Sequence, residues 1–174
     1  MFYDSKSVVF AFTVLLSSPA LWAAGSHAGG HHAGSAHGAA AHAGGGHAAS
    51  AVGMSGEPSQ VTRTIEVQLL DSMRFAFTPA LRLQHGDVVR FVVHNRGEIR
   101  HEFSIGNAAE QRAHRLMMQK MPDMVHEDSN SVTVEPGQTR ELVWRFSGEE
   151  PVVFACNIPG HAEAGMTAST NLDG

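Results

Sequence analysis

The sequence predicts an all-β protein with the architecture of an antiparallel β-sandwich. Seven or eight short segments after Val61 show either the apolar–polar alternation of a half-buried strand or a brief apolar run. Turn signals rich in glycine and proline, such as Gly86-Asp87 and Pro136-Gly137, separate these segments. The 174 residues are enough for one domain with appendages. Many short strands divided by turns within one domain are typical of a sandwich.

The first half of the domain contains four predicted strands. Residues 61–69 carry apolar side chains at every second position, which indicates one buried face. The same period recurs in residues 73–77, and residues 81–83 lead into a turn. Residues 88–94 form a strongly β-forming apolar run, and a fourth strand is predicted at residues 101–105.

The second half adds a helix and further strands. Residues 108–121 contain good helix formers without glycine or proline and stop at Pro122, so we predict a short helical insertion. Strands are predicted at residues 131–134, 141–146 and 152–155. The final residues, 167–174, are polar and weakly β-forming, so we expect the closing strand to be short or frayed.

Residues 1–24 predict a secretory signal peptide. Lys6 gives a weakly positive start, and the apolar run of residues 8–16 is too short to span a bilayer. Small residues at 23–25 offer a cleavage site, and an uncleaved anchor is the alternative. In either case we expect an exported protein in the periplasm of a Gram-negative bacterium, without stable membrane association once the signal is cleaved.

Residues 25–60 are a low-complexity stretch of Gly, Ala, Ser and His without apolar periodicity. We therefore expect a disordered tail that precedes a folded domain of residues 61–174. Six of the 12 histidines lie in this tail, at irregular spacing: His27, His31, His32, His37, His42 and His47. Because imidazoles bind Cu(II), Ni(II) and Zn(II), with Cu(II) bound most tightly, we favour metal capture over a solvated linker with incidental histidines.

Charge and cysteine content narrow the function further. The net charge of −5 provides no broad basic field, so we expect no nucleic-acid partner. The single cysteine cannot form an intramolecular disulfide. In an exported chain it is either a free thiol or a metal ligand. An exposed free thiol would be oxidised in that compartment, which favours ligation.

The strongest chemical pattern is the loop that contains this cysteine. Cys156, His161 and Met166 follow at intervals of five residues and supply a thiolate, an imidazole and a thioether. One further imidazole would complete a His2Cys set with a weak axial Met, which is the ligand set of a mononuclear type 1 copper centre. His101 is the best candidate for the missing ligand. The alternative, in which Cys156 and Met166 fill the core and His161 lies on the surface, suits each residue singly but not the combination.

The spacing of these residues resembles that of the cupredoxins, the plastocyanin and azurin group. The motif Asn95-x-Gly97-x3-His101-Glu102-Phe103, followed by Cys-x4-His-x4-Met, carries the resemblance, which covers roughly residues 61–168. The resemblance implies a Greek-key β-sandwich, the cupredoxin fold, with copper at one end. It implies that the copper ligands are His101, Cys156, His161 and Met166. It also makes Asn95 a candidate to tie the His101 segment to the Cys156 loop.

The helical insertion carries a second group of soft ligands. Four methionines fall within eight residues, and two histidines flank them: His114, Met117, Met118, Met121, Met124 and His126. Thioethers select Cu(I), so some of these residues are candidates for a second copper site. Packing of a methionine-rich helix onto the sandwich is the equally weighted alternative. The insertion and the His-rich tail resemble those of a periplasmic copper-tolerance branch of cupredoxins.

Three functions fit these patterns. The first is an exported copper-tolerance protein that captures copper and oxidises Cu(I) to Cu(II), which would make it a Cu(I) oxidase with dioxygen or a redox protein as electron acceptor. The second is an electron shuttle between redox partners. The third is a copper store or chaperone. We favour the first because a shuttle needs neither a metal-binding tail nor a methionine-rich insertion.

Overall fold

The computed structural model of the chain describes residues 50–122 and 128–173. The predicted signal peptide, all six tail histidines, Met124 and His126 lie outside the described residues. The described strands and helix are β1 Gly53–Ser55, β2 Arg63–Leu70, β3 Arg74–Thr78, β4 Leu83–Gln84, β5 Val88–Asn95, β6 His101–Gly106, α1 Ala108–Lys120, β7 Ser131–Val134, β8 Thr139–Phe146, β9 Val152–Ala155, β10 Thr167–Thr170 and β11 Leu172–Asp173. A short 3-10 helix, Pro58–Gln60, lies between β1 and β2.

Two sheets form the sandwich, which confirms the predicted fold class. The first sheet has the strand order β1-β8-β5-β2-β3 and the second has the order β10-β9-β6-β7. Most neighbouring strands are antiparallel, but β2 pairs parallel with β5, and β11 pairs parallel with β4 in a small third sheet. The parallel pairing brings the carboxyl ends of β2 and β5 to the same end of the sheet, next to the loop that precedes β6.

The core lies between the two sheets, as the alternating sequence patterns predicted. Alternate residues of β2, β5 and β8 are buried, because one face of each strand meets the second sheet. Phe91 of β5 contacts two rings of that sheet, with centroid distances of 5.3 Å to Phe103 and 5.7 Å to Phe154. Phe103 and Phe154 stack on each other at 5.3 Å. These aromatic contacts make the sandwich interior a continuous apolar cluster.

Helix α1 confirms the predicted insertion and ends at Lys120, one residue before the predicted limit. It begins with a capping box, in which the Asn107 side chain accepts from the Glu110 N–H and the Glu110 carboxylate accepts from the Asn107 N–H, both at 2.8 Å. The helix covers the outer face of β6 through Gln111, whose amide donates to the Ser104 carbonyl at 3.1 Å. All six residues of β6 are therefore buried, since one face meets the core and the other meets the helix.

The folded region begins before residue 61, which corrects the predicted boundary of the tail. Strand β1 lies within the stretch 25–60 and pairs with β8. Val52 is completely buried in the core, and Glu110 accepts hydrogen bonds of 2.8 Å from Ser50 Oγ and from the Ala51 N–H. A single buried valine among small residues produces no periodicity, so the sequence pattern did not reveal this strand.

The closing segment is short, as predicted, but both of its described strands are paired with neighbours. The four residues of β10 lie opposite residues 152–155 of β9, and β11 adds two pairs with β4. Backbone hydrogen bonds can therefore hold a strand whose polar side chains give it little β-propensity. Within the described residues, no helix has the length and apolar character needed to cross a membrane.

Candidate metal centre

The candidate ligands meet at one end of the second sheet. Strands β6 and β9 are antiparallel, with Ser104 opposite Ala155. The start of β6 and the chain that leaves β9 consequently lie at the same end of the sheet. His101 is the first residue of β6, Cys156 directly follows β9, and His161 lies in the loop between β9 and β10. This topology brings together residues that are 60 positions apart in the sequence.

Three donor atoms converge at this end. One ligand atom each of His101, Cys156 and His161 lies within 4.8 Å of the other two. His161 Nδ1 is 3.3 Å from Cys156 Sγ, and the two imidazole ring centroids are 5.1 Å apart. Within residues 50–122 and 128–173, no other group of three His, Cys, Asp or Glu side chains is arranged to hold an ion.

The chemistry of this donor set fits copper. A thiolate and two imidazoles suit both Cu(I) and Cu(II). His101 Nδ1 is buried and has no hydrogen-bond partner among the described residues. An unpartnered buried nitrogen is costly, and a bound metal ion would supply the missing partner. His101 itself is completely buried, whereas His161 is half-buried.

The sulfur of Cys156 is held in an apolar, preorganised position. Cys156 is completely buried, and the Glu102 N–H donates a hydrogen bond of 3.2 Å to its Sγ. Burial raises the pKa of the thiol to about 12, and the hydrogen bond from Glu102 only partly opposes this effect. A cation must therefore displace the proton to generate the thiolate, which is the form that binds metal.

The ligand loop is tied together by its backbone. The Cys156 N–H donates to the Met166 carbonyl at 3.1 Å, and the Met166 N–H donates to the His161 carbonyl at 3.0 Å. These bonds place Met166, which is completely buried, directly beside the two other residues of the loop. Gly165 has a φ of +101°, a conformation that favours glycine and allows the chain to reverse before Met166.

The half-buried His161 ring is maintained in its neutral form. Burial lowers the pKa of His161, and the neighbouring His101 ring lowers it further. A neutral imidazole is the form that binds metal. The environment of this residue therefore favours ligation at neutral pH.

Asn95 stabilises the turn that leads into His101, although not through the contact that the sequence predicted. Its Nδ2 donates to the Ile99 carbonyl at 2.7 Å and to the Val134 carbonyl at 2.9 Å, while its Oδ1 accepts from the Gly97 N–H at 2.9 Å. The prediction that Asn95 ties this segment to the Cys156 loop is wrong. The side chain fastens the turn before β6 to β7, because β7 is the strand that flanks β6 on this side.

The candidate ligands of the helical insertion do not all face the same side of the helix. His114 Nε2 lies 2.9 Å from Glu102 Oε1, which occupies that nitrogen with a hydrogen bond. Met118 is buried, Met117 is half-buried, and Met121 is 39% exposed. Helical spacing thus directs one methionine inward and another outward. The second copper site remains a prediction, since part of its ligand set lies outside the described residues.

Two carboxylates lie near the ligands, and one of them, Asp71, was not identified from the sequence. Asp71, in the turn after β2, has its Oδ1 2.9 Å from His101 Nε2. Glu102, which is 1% exposed, accepts from His114 and from the Asn157 N–H at 3.0 Å. The Glu98 N–H is the largest cause of the lowered pKa of Asp71, and the His101 ring is the next. An Asp in a turn carries no distinctive sequence signal.

The chain is similar to known copper-resistance proteins over most of its length. It is 49% identical over 123 residues to the copper-resistant cuproprotein CopI of Vibrio cholerae, an alignment that covers 71% of this chain and 73% of the relative. It is 44% identical over 115 residues to CopI of Rubrivivax gelatinosus, covering 66% of this chain and 68% of the relative. It is 36% identical over 152 residues to CopI of Pseudomonas aeruginosa, covering 70% of this chain and 82% of the relative. No protein-family model matches the chain.

Solved structures support the fold independently. Auracyanin B aligns with a TM-score of 0.56 at 19% identity, covering 72% of this chain and 97% of that protein. Auracyanin A of Chloroflexus aurantiacus, described as a "blue" copper protein, aligns with a TM-score of 0.50 at 17% identity. The alignment covers 63% of this chain and 98% of that protein. At these identities the similarity establishes the cupredoxin fold alone. The sequence identities to the three relatives establish the family: this chain belongs to the CopI family of copper-resistant cuproproteins.

Proposed function

We propose that this protein is an exported, periplasmic copper-tolerance protein that binds copper through His101, Cys156, His161 and Met166 and oxidises Cu(I) to Cu(II). The observation that carries this proposal is the convergence of three soft or borderline donors within 4.8 Å, one of them a buried nitrogen without a partner. Membership of a family of copper-resistant cuproproteins supports a copper-binding role in tolerance.

The protein's contribution is to hold these ligands in a fixed arrangement. Copper, when bound, supplies a one-electron couple between Cu(I) and Cu(II). His101 and Cys156 are anchored by neighbouring strands and are completely buried, so water is excluded from that side. Met166 lies beside Cys156 in the same loop, where its thioether is the candidate axial ligand. A rigid ligand set suits both oxidation states and needs little rearrangement when an electron moves.

Oxidation of Cu(I) requires an electron acceptor as well as a binding site. Each Cu(I) that becomes Cu(II) gives up one electron. We propose that dioxygen, which is reduced to water with the uptake of protons, or a partner redox protein receives these electrons. His161 is half-buried, whereas the other three candidate ligands are completely buried, so its ring would be the route for electrons into or out of the centre.

The tail and the insertion would supply copper to this centre. We propose that the tail histidines collect Cu(II) and that the soft ligands of the insertion bind Cu(I). His114 and Met118 lie on the helix that covers β6, the strand that begins with His101. A Cu(I) ion on this helix would therefore be close to the candidate centre.

The test is copper stoichiometry combined with turnover. Full-length protein should bind more than one copper and should show the visible thiolate-to-copper absorption. In air it should consume Cu(I) well beyond its own copper content. Cys156→Ser should lose both the absorption and the turnover, because the hydroxyl of serine is a poor ligand for copper.

The matched variant replaces the six tail histidines with asparagine. It should bind fewer copper ions yet retain the visible absorption. Consumption of Cu(I) that stops at the protein's own copper content would contradict oxidation and indicate a store. A single tightly bound copper in the wild-type protein would indicate an electron shuttle. An unchanged spectrum in Cys156→Ser would exclude Cys156 from the centre.

A further inference from the structure

The Nε2 atom of the His101 ring is held by a hydrogen bond to a carboxylate. Asp71 follows β2, and its Oδ1 lies 2.9 Å from His101 Nε2. Its other oxygen, Oδ2, accepts a hydrogen bond of 2.7 Å from the Glu98 N–H. The carboxylate therefore joins the turn after β2 to the loop that leads into His101. Its side chain is 39% exposed, whereas that of His101 is 0% exposed.

The surrounding backbone leaves room for this carboxylate. A Cβ atom added to Gly97 would lie 1.8 Å from Asp71 Oδ1 and 2.5 Å from its Cγ. Only glycine allows the carboxylate to rest at this position, since any side chain would displace it. The parallel pairing of β2 and β5 brings Asp71 close to Gly97, because both strands finish at the same end of the sheet.

The contact determines which nitrogen of His101 can bind metal. An ionised carboxylate only accepts hydrogen bonds, so His101 Nε2 must carry the proton that Asp71 receives. The other nitrogen, Nδ1, is then unprotonated, and it is the buried nitrogen that has no hydrogen-bond partner among the described residues. A hydrogen bond to a carboxylate also makes the imidazole a stronger electron donor toward a bound metal ion.

We propose that Asp71 is a positioning residue of the copper centre: it fixes the tautomer and orientation of His101, and its negative charge favours Cu(II) over Cu(I). This inference rests on the proposed copper centre. An imidazole that donates more electron density to the metal stabilises the more highly charged ion. The consequence would be a lower reduction potential than the same four ligands would give without the carboxylate.

The neighbouring strand β2 offers a matched control. Glu66 of β2 also accepts a hydrogen bond from a histidine, His94, and its side chain is 47% exposed. Asp71→Asn and Glu66→Gln thus remove the same charge from carboxylates of similar exposure, one in the turn that follows β2 and one within β2. Only Asp71 contacts a candidate ligand. A difference between the two variants isolates the contact with His101 from the general effect of charge.

The first measurement is the reduction potential of full-length, copper-loaded protein at neutral pH. Asp71→Asn should shift the preference toward Cu(I) by about tenfold, which is an upward shift of about 59 mV for a one-electron couple. Glu66→Gln should leave the potential unchanged. Equal potentials in these two variants would overturn the inference.

The second measurement needs no copper. Nitrogen NMR of metal-free wild-type protein should show His101 with its proton on Nε2, and Asp71→Ala should show a mixture of the two tautomers. A proton on Nδ1 in the wild type would overturn the inference without any variant. Failure of the copper centre itself is distinguishable, because the wild-type protein would then lack the visible thiolate absorption altogether.

Discussion

The carboxylate of Glu102 accepts a hydrogen bond from the His114 ring, with 2.9 Å between Oε1 and Nε2, and it does so at 1% exposure. Its other oxygen accepts from the Asn157 N–H, while its own N–H donates to Cys156 Sγ. One residue therefore connects helix α1, the ligand loop and the sulfur. A buried carboxylate is tolerated only when it is paired in this way.

Replacement of Glu102 by Gln should destabilise the metal-free protein. One oxygen of the carboxylate becomes an NH2 group, which faces either the Asn157 N–H or the His114 ring, so at least one buried hydrogen bond must change. We expect a loss of about 1–3 kcal/mol in the free energy of unfolding, measured by chemical denaturation. The control is Glu141→Gln, since Glu141 is 58% exposed and lies 3.6 Å from Arg90. That variant should change the same free energy by less than about 0.5 kcal/mol. Equal losses in both variants would argue against the bridging role of Glu102.

The pair between Glu102 and His114 should also make stability depend on pH. The hydrogen bond to Glu102 raises the pKa of His114 above its ordinary value of 6.5, and burial only partly opposes this. The folded protein therefore binds the proton more tightly than the unfolded chain. This contribution is fully present below pH 6.5 and is lost as the pH rises through the higher pKa of the folded state.

The measurement is the difference in unfolding free energy between metal-free wild type and His114→Gln, followed from acidic to alkaline pH. The difference should shrink as the pH rises above 6.5. Subtraction removes the contribution of His161, whose lowered pKa acts in the opposite direction at acidic pH. A difference that stays constant across this range would show that the hydrogen bond does not raise the pKa of His114.

Local periodicity was sufficient to predict much of the fold. The alternation in β2 and β8 identified their buried faces, and the helix formers before Pro122 defined α1 to within one residue. The prediction of β6 identified the strand but not its two buried faces, because nothing local shows that a helix covers the outer one. Val52 and β1 were missed for a similar reason, since their burial depends on β8 and α1.

The candidate centre was predictable to the extent that its residues are close in sequence or chemically distinctive. Cys156 and His161 share one loop, and His101 was chosen because the motif around it resembles that of the cupredoxins. The contact of Asp71 with His101 depends on the parallel register that sets Leu69 opposite Asn95. A short sequence window cannot contain that information, so the carboxylate behind the ligand was visible only in the structure.

The buried thiol of Cys156 should lower the free energy of unfolding of the metal-free protein at alkaline pH. The Cys156 thiol ionises near pH 9.0 in the unfolded chain, whereas burial raises its pKa to about 12 in the folded protein. The unfolded state thus loses its proton first, and stability should fall as the pH rises from 9.0 towards 12. Relative to Cys156→Ser, the slope should approach roughly 1.4 kcal/mol per pH unit. Parallel stability curves for the two proteins would mean that the thiol is accessible to solvent in the folded state.

Met166→Leu should raise the reduction potential while preserving the visible absorption. Met166 is completely buried beside Cys156, so leucine, which has a similar volume, should fit at a cost below about 1.5 kcal/mol. In the proposed centre the thioether would be a weak donor that helps to stabilise Cu(II), and leucine lacks this lone pair. The control is Met118→Leu, because Met118 is equally a buried methionine, at 3% exposure, but lies on α1. That variant should leave the potential of the visible centre unchanged. If Met166→Leu and Met118→Leu have the same potential, the sulfur of Met166 does not contact the copper, and the centre has only three protein ligands.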